Sequence, residues 1–216
     1  MKNFLSIGCG KGIGLATAER FAREGFRTTL TARTGSTLGA MVQALRDKTF
    51  MAESAVLDAS NIQAVSTLVR EMDDKLGVDV LHYNAAALRA DTIASQATES
   101  FVPDLAVNIG GALAAIQAVL PGMAKRGGGT ILLTSGGFAY HPSPDYLSLS
   151  IGKAGLRALV QALYAPCRAQ NIHVAMVTVE GHVDHATAIP ENAAEHFWQL
   201  YSQAPGSWTS EAYHSW

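Results

Sequence analysis

The residues whose types and spacing point to chemistry begin at position 8. Gly8-Cys9-Gly10-Lys11-Gly12-Ile13-Gly14 follows a short apolar run at residues 3–7 and precedes a helical stretch at residues 15–24. A glycine turn between a strand and a helix lets backbone approach a pyrophosphate. Gly8 permits the tight turn out of the strand, Gly12 the close approach, and Gly14 the packing of helix on strand. The helix start presents free N–H groups and the positive end of its dipole to phosphates. The spacing is G-x-x-x-G-x-G rather than G-x-G-x-x-G, so the strand-before, helix-after context carries the assignment. Gly8, Lys11, Gly12, Ile13 and Gly14 are therefore expected at a dinucleotide site. The second apolar run ends Thr31-Ala32-Arg33, with no acidic residue to bond a ribose 2′-hydroxyl. Arg33, assisted by Lys11, is expected to pair with a 2′-phosphate instead, which favours NADP(H) over NAD(H). Cys9 is expected to be a small filler or, being near a helix start, a thiol of lowered pKa.

These residues need a scaffold that alternates strand and helix. Short apolar runs fall at residues 3–7, 26–32, 52–57, 78–83, 130–134 and 173–179. Between them, Ile62, Val65, Leu68, Val69, Met72 and Leu76 recur at helical spacing, as do Leu113, Ile116, Val119, Leu120 and Met123, and Leu156, Leu159, Val160 and Leu163. Such alternation predicts an α/β fold: a single Rossmann-type, doubly wound parallel sheet of about six strands with helices on both faces. The 216 residues fit one domain, 1–216, whose segment 190–216 is rich in aromatics and holds Trp198, Trp208 and Trp216. No strand is expected beyond Val179. The aromatic segment is expected to pack on the core or on a sister subunit.

Composition narrows the partners. Hydrophobic residues make up 48% and charged residues 16%, and the net charge is −2 with a pI near 6.4. No basic cluster points to nucleic acid or an anionic membrane. The apolar run at residues 3–7 is too short for a signal-peptide core or a membrane span, and Cys9 and Cys167 form no disulfide framework. A cytoplasmic protein with reduced thiols is expected.

With these residues in place, the chain from residue 3 to about residue 179 resembles the short-chain dehydrogenase/reductase family. Gly8, Gly12 and Gly14 are similar to its cofactor turn, and Asp58 stands where the family places an adenine contact. Asn84-Ala85-Ala86-Ala87 resembles its Asn-Asn-Ala-Gly stretch, altered at both ends. Asn108 and Lys153 match its helix asparagine and the lysine of its Tyr-x-x-x-Lys motif. The resemblance implies an oxidoreductase whose tyrosine hydroxyl exchanges a proton as hydride moves, whose lysine lowers that tyrosine's pKa and holds the ribose, and whose serine binds the substrate oxygen. Here the tyrosine position is Leu149, which carries no proton, and the serine position falls on Gly136 with Ser135 beside it.

Substitutes are available in the sequence. Tyr146 lies seven residues before Lys153, behind His141-Pro142-Ser143-Pro144, and so in or before the first helical turn. Tyr140 is a weaker alternative. Glu180 replaces the proline of the family's Pro-Gly after the sixth strand, and His182 or His185 in the following loop could supply a proton. With Asp184 they match no strong metal signature, and no metal is expected. Two readings remain open. The first is an atypical NADP(H)-dependent oxidoreductase acting on a small carbonyl or alcohol, with Lys153, Asn108, Tyr146 and Ser135 at its centre and a homo-oligomeric state, dimer or tetramer, as in the family. The second is an NADP(H)-binding sensor or scaffold that has lost catalysis.

Overall fold

The computed structural model describes residues 1–181, 183–184 and 186–214. Seven strands form one sheet: β1 Asn3–Ile7, β2 Arg27–Ala32, β3 Ala52–Val56, β4 Val80–Tyr83, β5 Gly129–Gly136, β6 Ile172–Val179 and β7 Glu211–His214. Their order is β3-β2-β1-β4-β5-β6-β7, and every neighbouring pair is parallel. The helices are α1 Ile13–Arg23, α2 Gly35–Asp47, α3 Ile62–Leu76, α4 Thr98–Leu105, α5 Gly111–Lys125, α6 Leu147–Arg168 and α7 Ile189–Tyr201.

Each face of the sheet carries its own core. Along β1 the side chains alternate: Phe4 packs with Leu30, Val80 and Val177 against Phe21, Leu38 and Phe197 of α1, α2 and α7. Leu5 and Ile7 pack with Leu81 and Leu133 against Val65, Ile116 and Leu156 of α3, α5 and α6. The inner strands β1, β2, β4, β5 and β6 are buried on both sides, as a doubly wound parallel sheet requires, while the edge strands β3 and β7 are partly exposed. Connections leave β1 toward β2 and β3 on one side, and the chain returns to β4 on the other. The crevice beyond the carboxyl ends of β1 and β4 is thus the topological switch point where ligands bind in open α/β sheets.

The expected strand count of six is corrected to seven. β7 comprises Glu-Ala-Tyr-His, four residues with no apolar alternation, and pairs from Met176↔Glu211 to Val179↔His214. Its pairing is dictated by the open edge of β6, which a local pattern does not reveal. The tail's aromatics pack on the chain's own core. Trp198 and Tyr201 meet Phe21 edge-on at 5.3 Å, and Trp208 stacks on His173 at 4.8 Å. Trp216 lies outside the described residues.

α4 runs into α5 through one π-helical turn, Ala106–Gly110. The combined helix, Thr98–Lys125, is long and apolar enough by composition to cross a membrane. It is instead a core helix, laid on the sheet through Ala112, Ala115, Ile116, Val119 and Met123. The π turn is also where Asn108 sits, and such turns gather at functional sites.

Candidate active site

The glycine turn is built by close approach. Gly8 has φ +78°, and a Cβ there would lie 2.4 Å from Ala85 Cα in the segment after β4. A Cβ on Gly14 would meet Cys9 Cα at 2.9 Å and Asn84 Nδ2 at 3.1 Å. Gly12, with φ −85°, precedes α1 and supplies no side-chain cap. Leu15 N donates to the Gly10 carbonyl at 3.0 Å, and the N–H groups of Ile13 and Gly14 stand at the helix start where a ligand would meet them. A cavity of about 200 Å³ opens beside the turn, lined by Gly8, Gly10, Arg33, Asp58, Ala86 and Val107 among others. Asp58 Oδ1 accepts from Ser60 N at 2.9 Å and from Ser60 Oγ at 2.8 Å. These bonds, with the nearby Arg33 charge, hold its carboxyl below the usual range. Arg33 is exposed at the cavity rim, whereas Lys11 is exposed and lines neither cavity.

Cys9 is the small filler of the two expectations. It is buried, and burial pushes its thiol up to about 12, the opposite of an activated thiolate. Desolvation by burial outweighs the hydrogen bond with Ser6, which acts the other way.

A second cavity, of about 730 Å³, continues from the turn across the carboxyl ends of β4, β5 and β6. Gly12, Ile13, Gly14 and Asn84 line one end, and Ser135, Tyr146, Leu149 and Lys153 line the other. The two cavities share Gly10 and Ala86. Lys153 is buried, and its Nζ donates to the Thr134 carbonyl at 2.9 Å. Burial lowers its pKa to about 8. Leu149, one turn earlier on α6, is 5% exposed and presents hydrocarbon where the expected motif has a phenol. Ser135 Oγ is buried with no hydrogen-bond partner among the described residues. A buried hydroxyl without a protein partner on a cavity wall is open to a ligand or an ordered water.

Tyr146 sits just before α6, and its ring stacks on Phe138 at 5.4 Å. The Ser143-Pro144 turn ahead of it stops the helix from extending back, so it stands before Lys153's helix rather than on it. Tyr140 is drawn away: its hydroxyl donates to Glu211 of β7 and Arg157 lies over its ring. Asn108 is buried and touches neither cavity. Its Oδ1 accepts from Ala87 N at 2.8 Å and its Nδ2 donates to Ala87 O at 3.4 Å. α6 lies so close that a Cβ on Gly152 would come 2.4 Å from Asn108 Cβ. Asn108 therefore ties the segment after β4 to the helix carrying Lys153. His182 and His185 lie outside the described residues.

Sequence reasoning missed several wall residues. Thr134, Phe138, His141 and Glu180 all line the larger cavity. Only Glu180 carried a signal, as a departure at a motif position. The others become visible once β5 and β6 are known to run to Gly136 and Val179. Sequence reasoning also missed Asp104, which is buried beneath the cavity's outer segment. It accepts from Arg89 Nε at 2.7 Å and from Ser148 Oγ at 2.9 Å, and Arg89 above all holds its carboxyl below the usual range.

A family model described as short chain dehydrogenase matches residues 2–195. The chain belongs to the short-chain dehydrogenase family. It is 31% identical over 175 residues to a probable galactose dehydrogenase of Rhizobium meliloti, covering 80% of this chain and 68% of that one. The structure superposes on a short-chain dehydrogenase from Rhodopseudomonas palustris with a TM-score of 0.91 at 24% identity, covering 99% and 98% of the two chains. A metagenomic short-chain oxidoreductase in complex with NADP superposes at 0.89 with 25% identity, over 98% and 96%. Membership makes the protein an oxidoreductase of this family. The residues present fit the family's nicotinamide dinucleotide: backbone cradles at Gly8 and Gly14, an uncapped helix start, and two cavities that both have Gly10 and Ala86 in their walls. Cavities on either side of the turn suit two nucleotide halves bridged by a pyrophosphate there.

Proposed function

We propose that the protein is an NADP(H)-dependent oxidoreductase acting on a small carbonyl or alcohol, with a rearranged proton donor. The observation that carries this reading is the unpartnered Ser135 hydroxyl, which shares one cavity with the buried Lys153 ammonium and the Tyr146 phenol. When bound, the nicotinamide supplies or takes the hydride. The chain's own residues do the rest. Gly12, Ile13 and Gly14 meet the pyrophosphate with backbone N–H groups, and Arg33 at the cavity rim meets the 2′-phosphate. Asp58 and Asn84 border the adenosine and nicotinamide ends. Ser135 Oγ donates to the substrate oxygen, while Tyr146 gives or takes the proton at that oxygen. Lys153, held by the Thr134 carbonyl, binds the ribose hydroxyls and stabilises negative charge on the phenol. Leu149, Phe138 and Val179 exclude water around the reacting carbon.

Leu149 favours a second reading, an NADP(H)-binding sensor or scaffold, because the tyrosine position holds a side chain without a proton. One experiment separates the two: NADPH titration by fluorescence alongside a carbonyl screen that follows nicotinamide absorbance. Turnover lost in Tyr146→Phe and Ser135→Ala supports the enzyme. Tight NADPH binding without turnover on any carbonyl supports the sensor. A small-molecule substrate and a homo-oligomeric, cytoplasmic setting complete the proposal.

A further inference from the structure

A line of buried hydrogen bonds crosses β1, β4 and β5 directly beneath the glycine turn. Ser6 Oγ lies 3.2 Å from His82 Nδ1, His82 Nε2 lies 3.1 Å from Thr134 Oγ1, Thr134 Oγ1 donates to Asn84 Oδ1 at 2.9 Å, and Asn84 Nδ2 donates to the Gly8 carbonyl at 2.9 Å. Its direction is forced from one end. The Gly8 carbonyl only accepts, so the NH₂ of Asn84 faces it and Oδ1 faces Thr134. Thr134 has a single proton and gives it to Asn84, so its oxygen accepts from His82 Nε2. The imidazole then carries its proton on Nε2, and Nδ1 accepts from Ser6. Burial lowers the His82 pKa to about 3, which keeps the ring neutral, and its hydrogen-bond partners set the tautomer. Phe4 and Phe197 enclose the imidazole, with ring centroids 5.7 and 4.8 Å away. Bonds aligned head to tail in such surroundings polarise one another.

Both ends of the line reach the site. Asn84 is pressed against the turn: a Cβ on Gly14 would lie 3.1 Å from its Nδ2, and the bond to Gly8 orients the peptide that opens the turn. Thr134 uses its hydroxyl in the line and its carbonyl on Lys153 Nζ, from the opposite face of the sheet. We propose that His82 is a positioning residue for the dinucleotide site: through Thr134 and Asn84 it sets the Gly8 peptide that shapes the pyrophosphate turn and the carbonyl that holds Lys153. This rests on the dinucleotide reading of the turn.

Three variants isolate the role. His82→Leu removes both bonds. In His82→Gln the amide nitrogen reaches the place of Nε2 and keeps the link to Thr134. In His82→Asn the amide stands nearer Nδ1 and keeps only the link to Ser6. The NADPH dissociation constant is measured by fluorescence titration, well below each variant's Tm, and amide hydrogen exchange is followed across residues 9–14 without cofactor. Leucine and asparagine should weaken NADPH binding about tenfold or more and speed exchange in the turn, and glutamine should restore both. Unchanged affinity with only a lowered Tm, equal weakening in all three variants, or rescue by asparagine instead of glutamine would each overturn the proposal. A wild-type protein that binds neither NADPH nor NADH overturns the dinucleotide reading itself. In that case exchange in the turn still reports on His82, and equal rates across the variants would overturn its role.

Discussion

Leu149 and Lys153 stand one helical turn apart on α6, both buried and both on the wall of the larger cavity, with the Lys153 ammonium turned to the Thr134 carbonyl. The lysine that would support a phenolate is in place, and the position one turn before it holds hydrocarbon. The residue one turn before Lys153 thus carries no acid–base group, and under the proposed reading Tyr146, on the same cavity wall, takes that part.

If neither Tyr146 nor a loop histidine donates the proton, Leu149→Tyr is expected to create or increase carbonyl reduction with NADPH, by up to the ~10²–10⁴ that general acid catalysis contributes. Tyr146→Phe in the wild-type background should remove whatever turnover the natural donor supports. Nicotinamide absorbance over a carbonyl panel reads both. Robust wild-type turnover that survives Tyr146→Phe would exclude Tyr146 as the donor.

Arg33 should select the phosphorylated cofactor. It lies at the rim of the smaller cavity, and no acidic residue ends β2. One charge-assisted contact to the 2′-phosphate is worth ~1.5–3 kcal/mol, about tenfold or more in affinity. Parallel NADPH and NADH titrations should show that preference, and Arg33→Ala should erase most of it. Equal affinities in the wild-type protein would refute the assignment.

Gly8 and Gly12 should fail in different ways. Gly12 lies at the start of α1 with φ −85° and ψ −123°, and Gly12→Val should block the pyrophosphate with a branched side chain. Gly8 has φ +78° and Ala85 within 2.4 Å of a would-be Cβ, so Gly8→Ala should cost stability, by ~1–3 kcal/mol from backbone strain alone. Thermal melts and NADPH titrations distinguish the two. A folded Gly12→Val protein with normal NADPH affinity would place the pyrophosphate elsewhere.

Lys153 should leave a mark on stability at alkaline pH. Its pKa is about 8 in the folded protein because burial disfavours the ammonium, against 10.5 when exposed. Below pH 8 both states hold the proton and the cost of burying the charge is fully present. Between about 8 and 10.5 the unfolded chain binds more protons, so this group makes stability rise with pH, at no more than ~1.4 kcal/mol per pH unit. Urea unfolding at pH 7.5 and 9.5 should show the rise in the wild-type protein and a flatter response in Lys153→Met. An identical pH response in both proteins would mean that the lysine is not held at a depressed pKa.

By itself the sequence determined the doubly wound parallel architecture, because buried strands and amphipathic helices announce themselves by local periodicity. It also determined the glycine turn, because Gly8, Gly12 and Gly14 occur between strand and helix. Tertiary structure alone decided what depended on long-range partners. β7 exists because the edge of β6 was open, although Glu211–His214 has no strand pattern of its own. Of the two expectations for Cys9, the small filler holds because the fold buries the residue. Asn108 turned from the cavity to the Ala87 backbone, while Ser135 was left without a partner on the cavity wall. The line from Ser6 to Gly8 joins residues up to 128 positions apart, from Ser6 on β1 to Thr134 on β5. Spacing along one chain carries no trace of it, because hydrogen bonds between strands depend on the register that the whole sheet sets.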